Sequence, residues 1–284
     1  MIKDLKLKGA DVVHYGSYQP LLDYLLSIEG YEQHRLKDSF DGLAIYGFSF
    51  GDFTKPTIMI DAQIHSNHEW HTSHWLAQFM EVLIDPPNEF QNELNILKAK
   101  YSFYFVPCVN PDGYNRGAQK GTWNGNGVFI DQNFDFKWTS FESETKGVSP
   151  FSETEAQNIR DVILDIKPIG YLNLHRYGGG DGAYVRRPAN TKYTVLLKDY
   201  VDTLDLTVPT TKQWIEMLDR PSSYNWAGQQ LSSVGQPIIS SVLETGHYGT
   251  TADTITQAEV ILNGVYQFIK YVDFYKTKNK LIKR

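Results

Sequence analysis

The 284-residue chain has a single cysteine, Cys108. One thiol excludes an internal disulfide framework and a zinc module built on cysteine pairs. Its setting, Tyr104-Phe105-Val106-Pro107, reads as a buried strand, so Cys108 is expected to be a plain core thiol. No apolar run is long enough to cross a bilayer, and Met1 to Ala10 lacks the apolar centre of a signal peptide. Internal repeats and low-complexity linkers are absent. Positive charge is not in excess: the formal net charge is -6, which argues against nucleic acid or an anionic membrane as a partner. These absences lead to the expectation of a monomeric, cytoplasmic protein, with export without a cleaved signal left open. The chain begins close to the domain, so no long inhibitory pro-segment is expected. Aromatic residues, in contrast, are plentiful: 18 Tyr, 15 Phe and 6 Trp support a sizeable core and exclude disorder.

Strand and helix patterns alternate along the chain. Helices are expected over 19–28, 72–84, 89–98, 192–204 and 256–275, and from the capping-box signature Ser152-Glu153-Thr154-Glu155 to about Ile166. Strands are expected over 57–64, 102–107, 169–174 and 237–243, with two more between His34 and Phe50 around a turn at Phe40-Asp41-Gly42. Asn110 to Gly127 reads as a long Gly- and Asn-rich loop, a kind of segment that is usually functional in a compact domain. The order implies an α/β fold, residues 1–284 as a single domain, with a mixed, mainly parallel sheet covered by helices on both faces.

Three of these strands run into residues of one chemistry. Ile60-Asp61-Ala62-Gln63-Ile64 leads to His65 and Glu69, Ile169 to Leu174 leads to His175, and Pro237 to Leu243 leads to Glu244. Carboxyl ends of strands in open α/β sheets are where ligands bind. If the three strands are neighbours, His65, Glu69 and His175 supply two imidazoles and a carboxylate to one zinc ion, leaving a fourth position open. Glu244 is then left over as the general base. From spacing alone, hydrogen-bonded structural histidines explain these residues equally well. His68, His71 and His74 recur at three-residue steps and are expected on a solvated helix face. His68-Glu69-Trp70-His71 is not a zincin motif, because the position four after His68 is Thr72.

Further segments decide between the two. From about residue 38 to 270 the chain resembles the zinc carboxypeptidase A/B family. The resemblance is carried by Asp38-Ser39-Phe40-Asp41-Gly42, by Ile64-His65-Ser66 with Glu69-Trp70, and by Asn110-Pro111-Asp112-Gly113-Tyr114. It continues in Gly127-Val128-Phe129-Ile130-Asp131-Gln132-Asn133-Phe134, Pro150-Phe151-Ser152-Glu153, Leu174-His175 and Leu243-Glu244-Thr245-Gly246. It implies one zinc ion held by His65, Glu69 and His175, Glu244 as the catalytic base, and hydrolysis of a peptide or similar amide bond.

The departures bear on the substrate. His65 and Glu69 are four apart where the family has three, which makes His68 the rival ligand. The family's Asn-Arg clamp for the substrate's terminal carboxylate falls on Asp131 and Gln132, and a second arginine falls near Thr122. Gln cannot replace the planar guanidinium fork. The family's aspartate that orients the first zinc histidine falls on Phe129, with Asp131 a candidate replacement. Arg176 and Arg186 are the cations expected to take over the substrate's anionic end, while Arg187 and Lys120 read as solvated surface charge. The family's mobile tyrosine has no clear match; Tyr224 and Tyr248 are the candidates nearby. The expected function is a zinc metallopeptidase with non-standard recognition of the substrate terminus. A zinc-dependent deacylase of N-acyl amino acids and a non-catalytic peptide-binding module are the alternatives.

Overall fold

Strands and helices alternate as the sequence pattern demands in a computed structural model of the protein. It describes residues 16–65, 69–88, 90–116, 123–176, 183–187, 213–216, 220–245 and 261–275, with 183–187 and 213–216 described by backbone alone. The elements in chain order are α1 (Tyr18–Ser27), β1 (Glu32–Arg35), β2 (Tyr46–Phe50), β3 (Thr57–Ala62), α2 (His71–Ile84), α3 (Gln91–Lys100) and β4 (Ser102–Val106). Then follow α4 (Pro111–Asn115), a 3-10 turn (Ile130–Asn133), α5 (Thr154–Ile166), β5 (Gly170–Arg176), β6 (Ala183–Arg187), β7 (Gln213–Glu216), α6 (Ser223–Ala227) and β8 (Ile239–Thr245). Residues 261–275 form α7.

All eight strands join one sheet in the order β1-β2-β4-β3-β5-β8-β6-β7. The centre, β4-β3-β5-β8, is parallel, and antiparallel pairs flank it. Side chains alternate between the two faces with the strand period of two. Ile58, Ile60, Phe103, Phe105, Leu172, Leu174 and Leu243 pack into one core with Trp75, Phe79 and Leu83 of α2 and Phe268 of α7. Met59, Tyr104, Val106, Tyr171 and Val242 pack into the other with Ile159 and Ile163 of α5 and Trp226 of α6. Burying each such side chain is worth about 1.5–3 kcal/mol. Helices therefore cover both faces, as the mainly apolar strands require.

Several expectations change in detail. β3 stops at Ala62, so His65 lies three residues beyond it. The stretch after Asn110 opens with the short helix α4, capped by the Asn110 side chain, which accepts from Gly113 N at 2.8 Å. Ser152 does not cap α5: its hydroxyl donates to Glu153 Oε1, and the N-cap is Glu153. His71 and His74 are buried, not solvated. The ring of His71 stacks on Trp70 at 3.6 Å, and His74 packs edge-on against the same indole. α2 is covered nearly all round, so its charged-looking stripe is interior. β6 and β7 have no counterpart in the expected strands, and the expected helix over 192–204 lies outside the described residues. Among the described residues no helix is long and apolar enough to cross a membrane.

Candidate metal centre

Beyond β3 the chain bends sharply at Gln63, which adopts a left-handed conformation with φ of 57°. That conformation costs a residue with a β-carbon about 1–2 kcal/mol. Neighbours hold it in place. Asn110 N donates to Gln63 O at 2.9 Å, and Asn110 Nδ2 donates to Ile64 O at 3.3 Å. Gln63 N donates to Thr72 Oγ1 at 3.0 Å, and that hydroxyl donates to Glu69 O at 2.8 Å. Thr72 at the start of α2 thus ties the backbone before His65 to the backbone of Glu69, closing the segment that carries both side chains.

β5 and β8 supply the rest. His175 lies directly opposite Glu244 in their parallel register. Partners in register point to the same face, here the face of Tyr171 and Val242. The result is a buried group: ligand atoms of His65, Glu69 and His175 all lie within 4.8 Å of one another. The two imidazole rings are 4.8 Å apart, and His175 Nδ1 is 3.5 Å from Glu69 Oε1.

The side of His175 away from Glu69 explains why Nδ1 is the available atom. Asp61 and Asn173 face each other across β3 and β5. Asp61 is fully buried, and its carboxylate accepts from Tyr171 OH at 2.6 Å and from Asn173 Nδ2 at 2.5 Å. With the amide nitrogen turned to Asp61, the Asn173 carbonyl oxygen accepts from His175 Nε2. That hydrogen bond places the ring proton on Nε2 and leaves the Nδ1 lone pair facing Glu69 and His65. Burial pushes the Asp61 carboxyl up to about 7, against the two hydrogen bonds that hold it down. At His175 burial opposes the charged form, but the Glu69 carboxylate, with Glu244 and Asp131 beyond it, reverses that and raises the ring above its ordinary value. The cluster therefore favours positive charge in a place shielded from water. Two imidazoles with a carboxylate is a donor set suited to zinc, so the residues present fit that ion.

Arg176 follows His175 but points to the opposite face, with Leu172 and Leu174. Its Nη1 donates to His71 Nδ1 at 2.6 Å, and it is 8% exposed. Burial lowers its proton affinity while Glu69 raises it. The expected capture of substrate by Arg176 does not fit this position, because strand alternation turns it under α2. Asp131 does not orient His65 either. It accepts from Arg220 Nη2 at 3.0 Å and from Ser223 N at 3.3 Å, while Phe129 packs on the His65 ring at 4.6 Å. The Gln132 side-chain oxygen accepts from Ser143 Oγ at 2.7 Å and Thr145 Oγ1 at 3.3 Å, which fixes it to the neighbouring loop. Tyr224, within α6, is buried in the core. The backbone of Arg186 pairs with Val242; its side chain, and all of His68, Lys120, Thr122 and Tyr248, lie outside the described residues.

Sequence reasoning missed Asp61, Asn173, Tyr171 and Arg220. A signal existed for the first two, a carboxylate inside a mainly apolar strand and an amide two positions before a histidine on the same strand face; Tyr171 offered none. Arg220 had none, because it meets Asp131 across 89 residues of chain.

Comparison with known proteins gives the same picture. The family described as zinc carboxypeptidase matches residues 31–251. Carboxypeptidase B of Helicoverpa zea is 29% identical, with the match covering 50% of this chain and 38% of that protein. Carboxypeptidase B of Astacus astacus is 27% identical, over 45% of this chain and 47% of that protein, so the match spans less than half the length of either relative. In three dimensions the chain is similar to carboxypeptidase A from Helicoverpa armigera, with a TM-score of 0.69 at 18% identity, covering 89% of this chain and 71% of that one. With the family matched along most of the chain and its fold reproduced around the clustered His65, Glu69 and His175, the protein belongs to the zinc carboxypeptidase family.

Proposed function

We propose that the protein is a zinc-dependent metallopeptidase that hydrolyses an amide bond near the end of a peptide, with recognition of that end unlike the rest of its family. The observation that carries this reading is the buried His65–Glu69–His175 cluster with Glu244 beside it in register. In this reading those three residues hold one zinc ion. When bound, zinc supplies Lewis acidity to the scissile carbonyl and lowers the pKa of water to about 7.

The chain's own residues do the remaining work. Glu244, 4% exposed and next to His175, takes the proton of the attacking water and passes it to the departing nitrogen. Asn173 holds His175 in the tautomer that presents Nδ1. Phe129 covers the His65 ring and limits solvent on that side. One chain supplies every one of these groups, so a monomer suffices.

Glu244→Gln tests the assignment. Zinc content should stay at one ion per chain, while hydrolysis falls about 10²–10⁴-fold. A broad set of peptides and N-acyl amino acids separates peptidase from deacylase. A zinc-loaded wild-type protein that cleaves neither, or a variant that keeps its rate, overturns the reading and leaves a binding module.

A further inference from the structure

The residues that grip a carboxylate in the family are replaced here, and the replacements at 131 and 132 are otherwise engaged. Gln132 is fixed to the 143–145 loop, and Arg176 lies on the opposite sheet face bonded to His71. Another cation stands beside the cluster. Arg220, just ahead of α6, reaches Asp131 through Nη2, and its guanidinium lies over the Phe129 ring at 6.0 Å. Phe129 in turn packs on His65 at 4.6 Å, so two ring contacts in series separate the guanidinium from the first expected ligand.

We propose that Arg220, held by Asp131, is the group that receives a carboxylate of the substrate's departing residue. The inference rests on the metallopeptidase reading for its meaning but not for its test. Asp131 occupies a single arm of the fork, and its other oxygen is fixed by Ser223 N. Nε is buried and makes no hydrogen bond. A buried donor left in that state is costly, and an incoming carboxylate recovers that cost. Guanidinium and carboxylate match in a two-bond fork, which amide or ammonium groups cannot copy. The side chain is 25% exposed, so one edge remains open to a ligand. Pinned by Asp131, the fork loses little freedom on binding. The bland reading is that Arg220 only offsets the charge of buried Asp131; it predicts no discrimination between a carboxylate and its amide.

The carboxylate could be the terminal one or that of an acidic side chain. Three probes separate these: N-acetyl-leucine, the α-amide of N-acetyl-glutamic acid, and N-acetyl-leucinamide, titrated calorimetrically into the full chain. Wild type should bind one of the two acids at least about tenfold more tightly than leucinamide, and which acid wins identifies the source. Arg220→Gln should abolish the preference with zinc content unchanged. Arg220→Lys keeps the charge facing Asp131, so it should fold while losing most of the preference. Should Arg220→Gln fail to fold, the pair Arg220→Gln with Asp131→Asn takes its place. Equal or undetectable binding of all three probes by wild type overturns the proposal, as does an Arg220 variant that keeps the preference. Because binding is read directly, a wild-type protein that discriminates acids but hydrolyses nothing refutes the peptidase reading alone.

Discussion

His175 can present Nδ1 to a cation because its other ring nitrogen is already committed. The commitment runs through Asn173 to Asp61, a chain of side chains crossing from β5 to β3. Removing the middle member leaves the ring free to turn and to exchange tautomers. Asn173→Ala is therefore expected to weaken zinc binding about 10–100-fold, measured by competition with a chromophoric chelator. An unchanged affinity would mean that Glu69 alone orients the ring. The four residues with direct roles in the proposed chemistry were legible in the sequence through the family resemblance, since spacing alone left structural histidines as an equal explanation. Their supports were not. Asp61 sits in the middle of an apolar run, and only the pairing of β3 with β5 shows that Asn173 faces it. Arg176 misled for a related reason. Adjacency to His175 in sequence suggested shared work, whereas neighbours along a strand face opposite ways.

At the scale of elements, the site depends on the bend between β3 and α2. Asn110 serves two elements at once. Its side-chain oxygen caps α4 through Gly113 N, and its amide nitrogen holds Ile64 O one residue before His65. Asn110→Ala removes a helix cap worth about 1 kcal/mol and leaves a buried carbonyl without that donor at about 1–3 kcal/mol. The expected loss is roughly 2–4 kcal/mol in denaturant unfolding, with weaker zinc binding alongside. A loss confined to stability, with zinc affinity intact, would show that Thr72 is enough to hold the bend. The core elements followed from apolar periodicity: α2, β4 and β5 begin and end within two residues of their expected bounds. The bend itself was not legible, because a left-handed Gln63 carries no glycine to announce it. Nor was the burial of His71 and His74: Trp70, which stacks on His71, is its neighbour in sequence, but Tyr24, which stacks on His74, comes from α1.

For the molecule as a whole, acid and metal act in opposite directions. Among the described residues, three buried carboxyl and imidazole groups bind protons more strongly in the fold than in the open chain. Burial pushes Glu155 up to about 7, although hydrogen bonds from Phe40 N and Asn124 pull it down; Asp61 is likewise raised to about 7, and His175 is raised by its acidic neighbours. A group raised on folding adds stability that is complete below its ordinary value and is lost as pH climbs through its folded value. The ordinary values are 4.5 for Glu155 and 3.8 for Asp61, so their stabilisation fades between about pH 4 and 7. That of His175 fades above 6.5. The metal-free protein, kept so by a chelator, should therefore melt at lower temperature as pH rises from about 5 to 8. Zinc acts the other way, since its ligands bind it deprotonated and hold it better as pH rises. The gap in melting temperature between zinc-loaded and chelated protein should widen across the same range. Glu155→Gln separates the contributions, because Glu155 lies away from the cluster. An amide there meets at least one donor where the carboxylate accepted, so the variant should be less stable at pH 5. It should nonetheless lose less between pH 5 and 7 than wild type, by up to about 3 kcal/mol at 1.4 kcal/mol per pH unit. A chelated wild type that grows more stable over that interval, or a Glu155→Gln profile parallel to it, would mean that Glu155 is ionised in the fold well below neutrality.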